Sequence, residues 1–145
     1  MKKNKFLPSH VAFIMDGNRR WAKKHNIPSF AGHMEGFQNA KRLLLYGKKL
    51  GIPYSTLYAF STENRQRKKN EVNYIFYLLE WLVNKELPLL QKEKVRVKFI
   101  GSRKDLPAKT LKVIRFLEEA TASYHDVFLQ IAFNIRALSF RLYLL

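Results

Sequence analysis

Two short polar segments hold most of the side chains that could do chemistry in this sequence. Residues 16–21 (DGNRRW) offer a carboxylate suited to Mg²⁺, a glycine that lets the backbone approach a phosphate, and two arginines for bidentate phosphate contacts. Residues 60–67 (FSTENRQR) offer hydroxyls, an amide and two further cations. Each segment follows an apolar run that is typical of a strand, and open parallel sheets bind ligands beyond the carboxyl ends of their strands. We therefore expect both segments at one crevice that binds a phosphate-bearing ligand.

Each of these residues also has an ordinary structural interpretation. Asp-Gly-Asn is a common turn, and Asp16 could simply cap a helix. The cations after it could form a solvated helical face, His33 could be a capping or surface histidine, and residues 61–64 resemble a plain helix start. Trp21 and Phe30 are more typical of a core than of a ligand contact. The functional interpretation rests on the joint order of these residues.

Bulk composition limits the classes of partner. The chain has 145 residues, enough for one domain with its own core, and its 47% hydrophobic content argues against disorder. Its net charge of +16 favours anionic partners, whether phosphates, nucleic acid or acidic lipid headgroups. It has no cysteine, which excludes disulfides and thiolate metal sites and fits a reducing compartment.

Hydrophobic patterning predicts alternating strands and helices. A continuous apolar run at residues 11–15 indicates a central parallel strand buried on both faces. Residues 71–90 are apolar nearly all round, which predicts a helix covered on two sides. The remaining predicted elements are helices over 34–50 and 107–123 and strands over 55–60, 95–100 and 127–133. This order predicts an α/β fold, a parallel β-sheet of about four strands flanked by helices.

The sequence offers no candidate for a membrane span or a cleaved leader. The apolar run at residues 11–15 is too short for a signal peptide and meets Asp16 at once. No stretch approaches the ~20 apolar residues that a spanning helix requires. We expect a cytoplasmic protein whose membrane contact, if it has one, is peripheral.

Residues 10–24 (HVAFIMDGNRRWAKK) resemble the signature that opens the cis-prenyltransferases of the undecaprenyl diphosphate synthase type. A weaker stretch at 129–134 (LQIAFN) resembles the fourth strand of that family, so the resemblance runs from about His10 to Asn134. Between them the family's other blocks follow in order, namely Gly32-His33 with Gly36, YAFSTEN at 58–64 with Arg67, and Glu71-Val72.

The resemblance implies an activity and roles for the site residues. Members of the family condense isopentenyl diphosphate onto an allylic diphosphate with cis geometry and release pyrophosphate. By position, Asp16 resembles the family's essential carboxylate and Mg²⁺ ligand, and Asn64 resembles the residue assigned as proton acceptor. The substrate-binding residues that the resemblance implies are Gly17, Asn18, Arg19, Arg20, Trp21, His33, Ser61, Thr62, Glu63, Arg65 and Arg67.

Two mechanistic hypotheses accompany these roles. An amide is a poor base, so Asn64 is expected to orient a proton path toward a phosphate oxygen and not to hold the proton itself. A growing prenyl chain needs an apolar tunnel, and the helix over 71–90 is the expected wall. The candidate lining residues are Leu43, Leu44, Ile75, Phe76, Leu79 and Leu129, although plain core packing is the better explanation for any single one of them.

The sequence departs from the family pattern at several points. Ser29 stands in place of an arginine and Arg65 in place of a tryptophan, and Arg19 stands where many members have glycine and others have arginine. The match stops after Asn134, which divides the chain into one domain over 1–134 and a divergent tail over 135–145. We therefore expect a truncated form that lacks the isopentenyl diphosphate site, a second metal-binding glutamate and much of the family's dimer surface, and that has little turnover.

Two other interpretations stay open. The chain could be a non-catalytic remnant that binds diphosphates or prenyl groups, or a subunit completed by another protein. It could also be a basic nucleic-acid-binding domain, but the charge of +16 alone supports this and the sequence has no zinc-finger spacing or RNP-like string. No nucleic-acid partner is expected.

Overall fold

The computed structural model describes residues 6–136, which form one parallel four-stranded sheet with helices packed against it. The strands are β1 (His10–Ile14), β2 (Tyr54–Ser61), β3 (Val95–Ile100) and β4 (Val127–Ile135), arranged in the order β1-β2-β4-β3. The helices are α1 (Asn18–Lys24), α2 (Ser29–Lys49), α3 (Lys69–Lys92) and α4 (Ala108–Ala120), with a 3₁₀ turn over Thr62–Gln66. The predicted parallel α/β fold is confirmed.

Among the described residues the first strand lies at an edge of the sheet, whereas its sequence predicted a central strand. Within residues 6–136, β1 pairs with β2 alone, from His10 opposite Tyr54 to Ile14 opposite Tyr58. Its alternate side chains are exposed, and Ile14 is 69% exposed. An apolar run shows that both faces of a strand tolerate burial, but the crossover connections decide which strands become its neighbours.

Helices α2 and α3 are longer than the patterning predicted, α4 is shorter than the predicted 107–123, and α1 was not predicted as a separate element. Helix α2 begins at Ser29, directly after Pro28, and α3 extends over Lys69–Lys92 with Pro88 in its last turns. Helix α1 has only seven residues, too few for a periodic signal to separate it from the polar string around it.

Helix α3 is covered on one side only by the described part of the chain, which corrects the expectation of two covered sides. Phe76 and Val83 belong to the buried core between the helices and the sheet. Tyr77 and Trp81, on the opposite face of the helix, are 57% and 37% exposed. The apolar pattern was correct, but it could not show what covers the second face.

Helix α4 protects the outer edge of β3. Two backbone N–H groups of β3 point away from the sheet and donate to side chains at the end of α4. Val97 donates to Thr121 Oγ1 (3.0 Å), and Phe99 donates to Glu118 Oε1 (2.8 Å). Unpaired edge groups invite pairing with other chains, so these bonds close this side of the sheet.

Two glycines bring α2 against the start of α1. A Cβ atom added at Gly32 would overlap the carbonyl oxygen of Asn18, and one added at Gly36 would overlap its side-chain amide. Close packing of α2 on α1 thus fixes Asn18 near the carboxyl end of β1.

The segment predicted to diverge begins within β4. Ile135 is buried, completes β4 and pairs with Ser61 of β2. Residues 137–145 of the predicted tail lie outside the described residues. Among residues 6–136, no helix combines the length and hydropathy that crossing a bilayer would need.

Candidate active site

A cavity of about 200 Å³ runs between α2, α3 and the sheet. Polar side chains cluster at the end that lies beyond the carboxyl ends of β1 and β2, where Asn18, His33, Asn64 and Arg67 line its mouth. The walls farther in are apolar and include Leu44, Leu57, Ile75, Leu79, Leu82, Leu129 and Ile131. The cavity therefore combines a polar mouth with an apolar tunnel.

The buried carboxylate of Glu71 gathers three predicted site residues at the mouth. Its Oε1 atom lies 3.1 Å from His33 Nε2, accepts a hydrogen bond from Arg67 Nη1 at 3.1 Å, and lies 3.7 Å from Arg19 Nε. The Glu71 side chain is 10% exposed and that of Arg19 is 58% exposed, so the pair between them reaches the surface. We call Glu71 with Arg19, His33 and Arg67 the Glu71 cluster.

Glu71 entered the sequence analysis only as part of a family block, and its role as an organising residue was missed. One signal for it was present, because Arg67 and Glu71 have the i, i+4 spacing that pairs charges across a helix start. The contacts of Glu71 with Arg19 and His33 depend on how α1 and α2 pack, so the spacing of these residues in the sequence could not predict them.

Asp16 and Arg20 form a second, exposed pair beside the cluster. Asp16 Oδ1 accepts a hydrogen bond from the N–H of Gly17 (2.7 Å), and Oδ2 accepts one from Arg20 Nη2 (3.1 Å). Gly17 has a φ of +88°, a left-handed conformation that favours glycine and turns the chain from β1 into α1. Both charged side chains are at least three-quarters exposed, so water screens their attraction and Asp16 can change partners at small cost.

The oxygen of the Asn64 side chain is already engaged. Asn64 Oδ1 accepts the N–H of Ser61 (3.0 Å), and Ser61 Oγ accepts the N–H of Asn64 (3.3 Å), which together form a capping box for the 3₁₀ turn. Since a backbone N–H can only donate, this fixes which atom of the amide is the oxygen. The Nδ2 group is left as the donor that Asn64 can offer to the cavity.

The remaining predicted contacts do not line the cavity. Trp21 stacks on His25, with ring centroids 4.3 Å apart. Arg65 donates to Asn134 Oδ1 (3.0 Å) and to the carbonyl oxygen of Asp105 (3.2 Å), so it ties the 3₁₀ turn to the end of β4. Thr62 is half-buried and Glu63 is exposed in the same turn. Ligand contacts for these residues stay predictions.

Four of the six predicted tunnel residues line the cavity: Leu44, Ile75, Leu79 and Leu129. The other two predictions were wrong. Phe76 packs against the rings of Phe60 and Phe133 in the core, at 5.5 and 5.9 Å, because it lies on the sheet side of α3. Leu43 lies in a surface groove with Tyr46 and Lys49, since neighbouring residues of a helix point about 100° apart.

Ion pairs join α2 and α3 along the inner part of the cavity. Lys41 Nζ lies 3.2 Å from Glu86 Oε1, and both residues line the cavity. Deeper in, Lys48 Nζ donates to Glu93 Oε2 (2.6 Å), and this hydrogen bond together with the charge of Lys48 lowers the pKa of Glu93 below its usual value.

Fold and cavity together define a class of α/β protein in which a cationic mouth at the carboxyl ends of parallel strands opens into an apolar tunnel. A family model described as "Putative undecaprenyl diphosphate synthase" matches residues 14–137. The chain belongs to this family.

Relatives and solved structures agree with the family match. The chain is 42% identical over 128 residues to an isoprenyl transferase of Thermotoga maritima, covering 88% of this chain and 55% of the relative. It is 45% identical over 129 residues to a ditrans,polycis-undecaprenyl-diphosphate synthase of Micrococcus luteus, described as specific for (2E,6E)-farnesyl diphosphate, covering 89% and 51%. The chain thus spans about half the length of these relatives.

Two solved structures share the fold. Lavandulyl diphosphate synthase from Lavandula x intermedia, in complex with dimethylallyl diphosphate, superposes with a TM-score of 0.84 at 28% identity, covering 88% of this chain and 55% of that one. A probable undecaprenyl diphosphate synthase from Campylobacter jejuni superposes with a TM-score of 0.71 at 29% identity, covering 90% and 56%.

Proposed function

We propose that this chain provides the allylic-diphosphate site of a cis-prenyltransferase that condenses isopentenyl diphosphate onto an allylic diphosphate and releases pyrophosphate. The observation that carries the proposal is the continuity between a cationic mouth and an apolar tunnel. An allylic diphosphate has the same two parts, a polyanionic head and a hydrocarbon tail.

The head group is bound by donors that the fold holds at the mouth. Arg67 and His33 are fixed by Glu71, and Asn64 offers its Nδ2 group to an oxygen of the diphosphate. Charge-assisted contacts of this kind stabilise the negative charge that grows on pyrophosphate as its bond to the allylic carbon breaks. Glu71 is a positioning residue, because it acts through the cations that it holds.

The donor set fits Mg²⁺ that is carried mainly by the substrate. Magnesium commonly binds through one or two carboxylates together with phosphate oxygens and water, and Asp16 offers one exposed carboxylate. Within residues 6–136, no group of three or more His, Cys, Asp or Glu residues could hold a metal by itself. When bound, the ion would add positive charge against the departing pyrophosphate.

Asn64 directs the proton and does not accept it. Condensation forms a bond between the allylic carbon and isopentenyl diphosphate, and a proton then leaves the condensed product. An amide is a poor base, and the oxygen of Asn64 already accepts the N–H of Ser61, so the role left to this side chain is to donate from Nδ2 to a phosphate oxygen. A phosphate oxygen oriented by Asn64 is the acceptor in this proposal.

The wider setting rests on the family resemblance and is part of the same proposal. Products of undecaprenyl diphosphate synthases serve as lipid carriers for the cell wall, so we place the protein in the cytoplasm with peripheral membrane contact through its prenyl product. The family is typically dimeric, and we expect a dimer only where the rest of such a fold is present.

Turnover and binding assays test the proposal together. The chain is incubated with farnesyl diphosphate, isopentenyl diphosphate and Mg²⁺, and product chains are separated and counted. Binding of farnesyl diphosphate alone is measured by calorimetry, with Arg67→Gln as the variant and the exposed Arg115→Gln on α4 as the matched control. The proposal requires binding that Arg67→Gln weakens and Arg115→Gln does not, and absent or unaffected binding would contradict it.

A second candidate is a diphosphate- or prenyl-binding subunit without catalysis of its own. It is favoured by the mouth of the cavity, because Asn18, His33, Asn64 and Arg67 can bind a diphosphate whether or not the chain converts it. Binding without turnover supports this candidate, and robust product from the pure chain would contradict it.

A further inference from the structure

An aromatic strip lies along the outer face of α3. Tyr74, Tyr77 and Trp81 follow one another at the helical spacing that places side chains on one face, and Phe30 of α2 joins them with its ring 4.4 Å from that of Tyr74. Lys85 ends the row, with its Nζ atom 4.4 Å from the centre of the Trp81 ring. We call these five residues the aromatic strip.

The strip is exposed although its residues are among the largest apolar side chains. Phe30 is 40% exposed, Tyr77 57% and Trp81 37%. They form the face of α3 that the sequence predicted to be covered and that residues 6–136 leave open. A contiguous row of exposed aromatics marks an interaction surface more often than scattered apolar residues do.

The chemistry of the strip identifies its partner. Tyrosine and tryptophan combine a hydrocarbon body with a polar hydroxyl or N–H, and both are enriched where a bilayer meets water. Lys85 adds a cation on a long apolar stem that can reach lipid phosphates. The net charge of +16 favours an anionic surface. The exposed neighbours Asn73 and Asn84 are neutral, so they add no negative charge that would repel it.

The strip also lies beside the mouth of the cavity. Phe30 precedes His33 by one turn of α2, and Tyr74 follows Glu71 by one turn of α3. Ile75 and Leu78, adjacent to Tyr74 and Tyr77 on α3, line the apolar tunnel. A hydrocarbon tail that moves between a bilayer and the tunnel would cross this surface.

We propose that the aromatic strip docks the protein on the surface of an anionic lipid bilayer, with α3 lying in the interface and not crossing it. The assignment of a membrane-docking surface depends on the residues of the strip and not on catalysis. Only the idea that a prenyl tail moves across this surface rests on the proposed function. Helices of this kind bury an apolar face at the level of the headgroups and are held there by added basic charge.

Vesicle binding tests the proposal on the whole chain without any diphosphate present. Vesicles of phosphatidylglycerol and of phosphatidylcholine are compared by sedimentation. Preferential binding to phosphatidylglycerol is expected, and the double variant Tyr77→Ala with Trp81→Ala should weaken it roughly tenfold or more, since it removes most of the buried apolar area. Phe116→Ala is the matched control, because Phe116 is an exposed aromatic of α4 (46%) that lies outside the strip.

Charge reversal and fluorescence make the test independent of that double variant. Lys85→Glu leaves the aromatic rings in place and should also weaken binding to phosphatidylglycerol. In Trp21→Phe, Trp81 is the one tryptophan left, and brominated lipid should quench its emission. Far-ultraviolet circular dichroism confirms that each variant is folded.

Four results would overturn the assignment. The first three are equal binding of the double variant and the Phe116→Ala control, no quenching of Trp81, and equal binding to both kinds of vesicle. The fourth is a change in oligomeric mass caused by the double variant while vesicle binding stays the same, since the strip would then contact protein. Binding of farnesyl diphosphate is measured separately by calorimetry. A parent chain that binds the diphosphate but binds neither kind of vesicle would contradict this inference alone and leave the proposed function standing.

Discussion

The two halves of the polar mouth are held in opposite ways. In the Glu71 cluster one buried carboxylate oxygen fixes His33 and Arg67 at 3.1 Å and approaches Arg19. The pair of Asp16 and Arg20 has a similar hydrogen-bond distance, but both side chains are at least three-quarters exposed. The cluster is organised before any ligand arrives, whereas Asp16 is free to exchange Arg20 for a cation. Preorganised donors and one exposed carboxylate suit a ligand that brings its own metal.

The largest expected difference between the two halves of the mouth is in stability, when the carboxylate of each is removed. Glu71→Ala leaves Arg67 and His33 without their partner and should lower the free energy of unfolding by about 2–4 kcal/mol, less than for a fully buried pair because Arg67 is partly exposed. Asp16→Ala should change it by less than about 0.5 kcal/mol. Urea unfolding measures both. Similar losses in the two variants would show that the halves of the mouth do not differ in this way.

Metal dependence of ligand binding separates the halves by function. Asp16→Ala should weaken the binding of farnesyl diphosphate roughly 10–100-fold in Mg²⁺, the effect of losing about 1.5–3 kcal/mol of charged contacts. In EDTA the same variant should bind as the parent does, because Asp16 acts through the ion. Glu71→Gln should weaken binding in both buffers. Calorimetry measures the affinity for farnesyl diphosphate in the two buffers. If Asp16→Ala still bound more weakly than the parent in EDTA, Asp16 would have another role.

The packing of α1 on α2 provides a third test, since it positions the exposed half of the mouth. Gly36→Ala places a methyl group against the amide of Asn18 and should cost about 1–3 kcal/mol of stability. Gly47→Ala, in the same helix with open space around it, should stabilise by about 0.5–1 kcal/mol through helix propensity. Thermal melts of the two variants should shift in opposite directions. A stabilised Gly36→Ala would mean that Asn18 is not held by this contact.

The smallest effect is expected at the inner end of the cavity, where Glu93 forms a pair unrelated to the mouth. Lys48 lowers the pKa of Glu93 from its usual 4.5, so the pair contributes stability above pH 4.5 that is lost as the pH falls through the lowered pKa. In Glu93→Gln the melting temperature should change less between pH 6 and pH 3 than in the parent. Glu35→Gln, at an exposed pair with Arg42, is the control and should resemble the parent.

The sequence was most informative where a pattern repeats. Period-two and helical spacing placed β3 over Val95–Ile100 as predicted and the other strands within a few residues, because local hydrophobicity dictates those elements. The edge position of β1 could not be predicted, since the order of strands depends on crossovers that leave no local trace. The bare outer face of α3 was beyond prediction for the same reason.

The site residues were found by their order in the sequence, but their arrangement was not. Asn18, His33, Asn64 and Arg67 meet at the mouth as expected. The role of Glu71 as the partner of Arg19, His33 and Arg67 was missed because these contacts depend on how α1, α2 and α3 pack together. Arg65 turns toward Asn134 because the capping box fixes the 3₁₀ turn, a geometry that composition does not encode.

The two edges of the sheet differ in whether a further strand could pair with them. At β3, Thr121 and Glu118 occupy outward N–H groups, so a strand arriving there would have to displace them. At β1 no strand among residues 6–136 pairs with the outer edge. Any strand that extends this sheet, whether from the same polypeptide or from another, is therefore directed to β1, next to the carboxylate of Asp16.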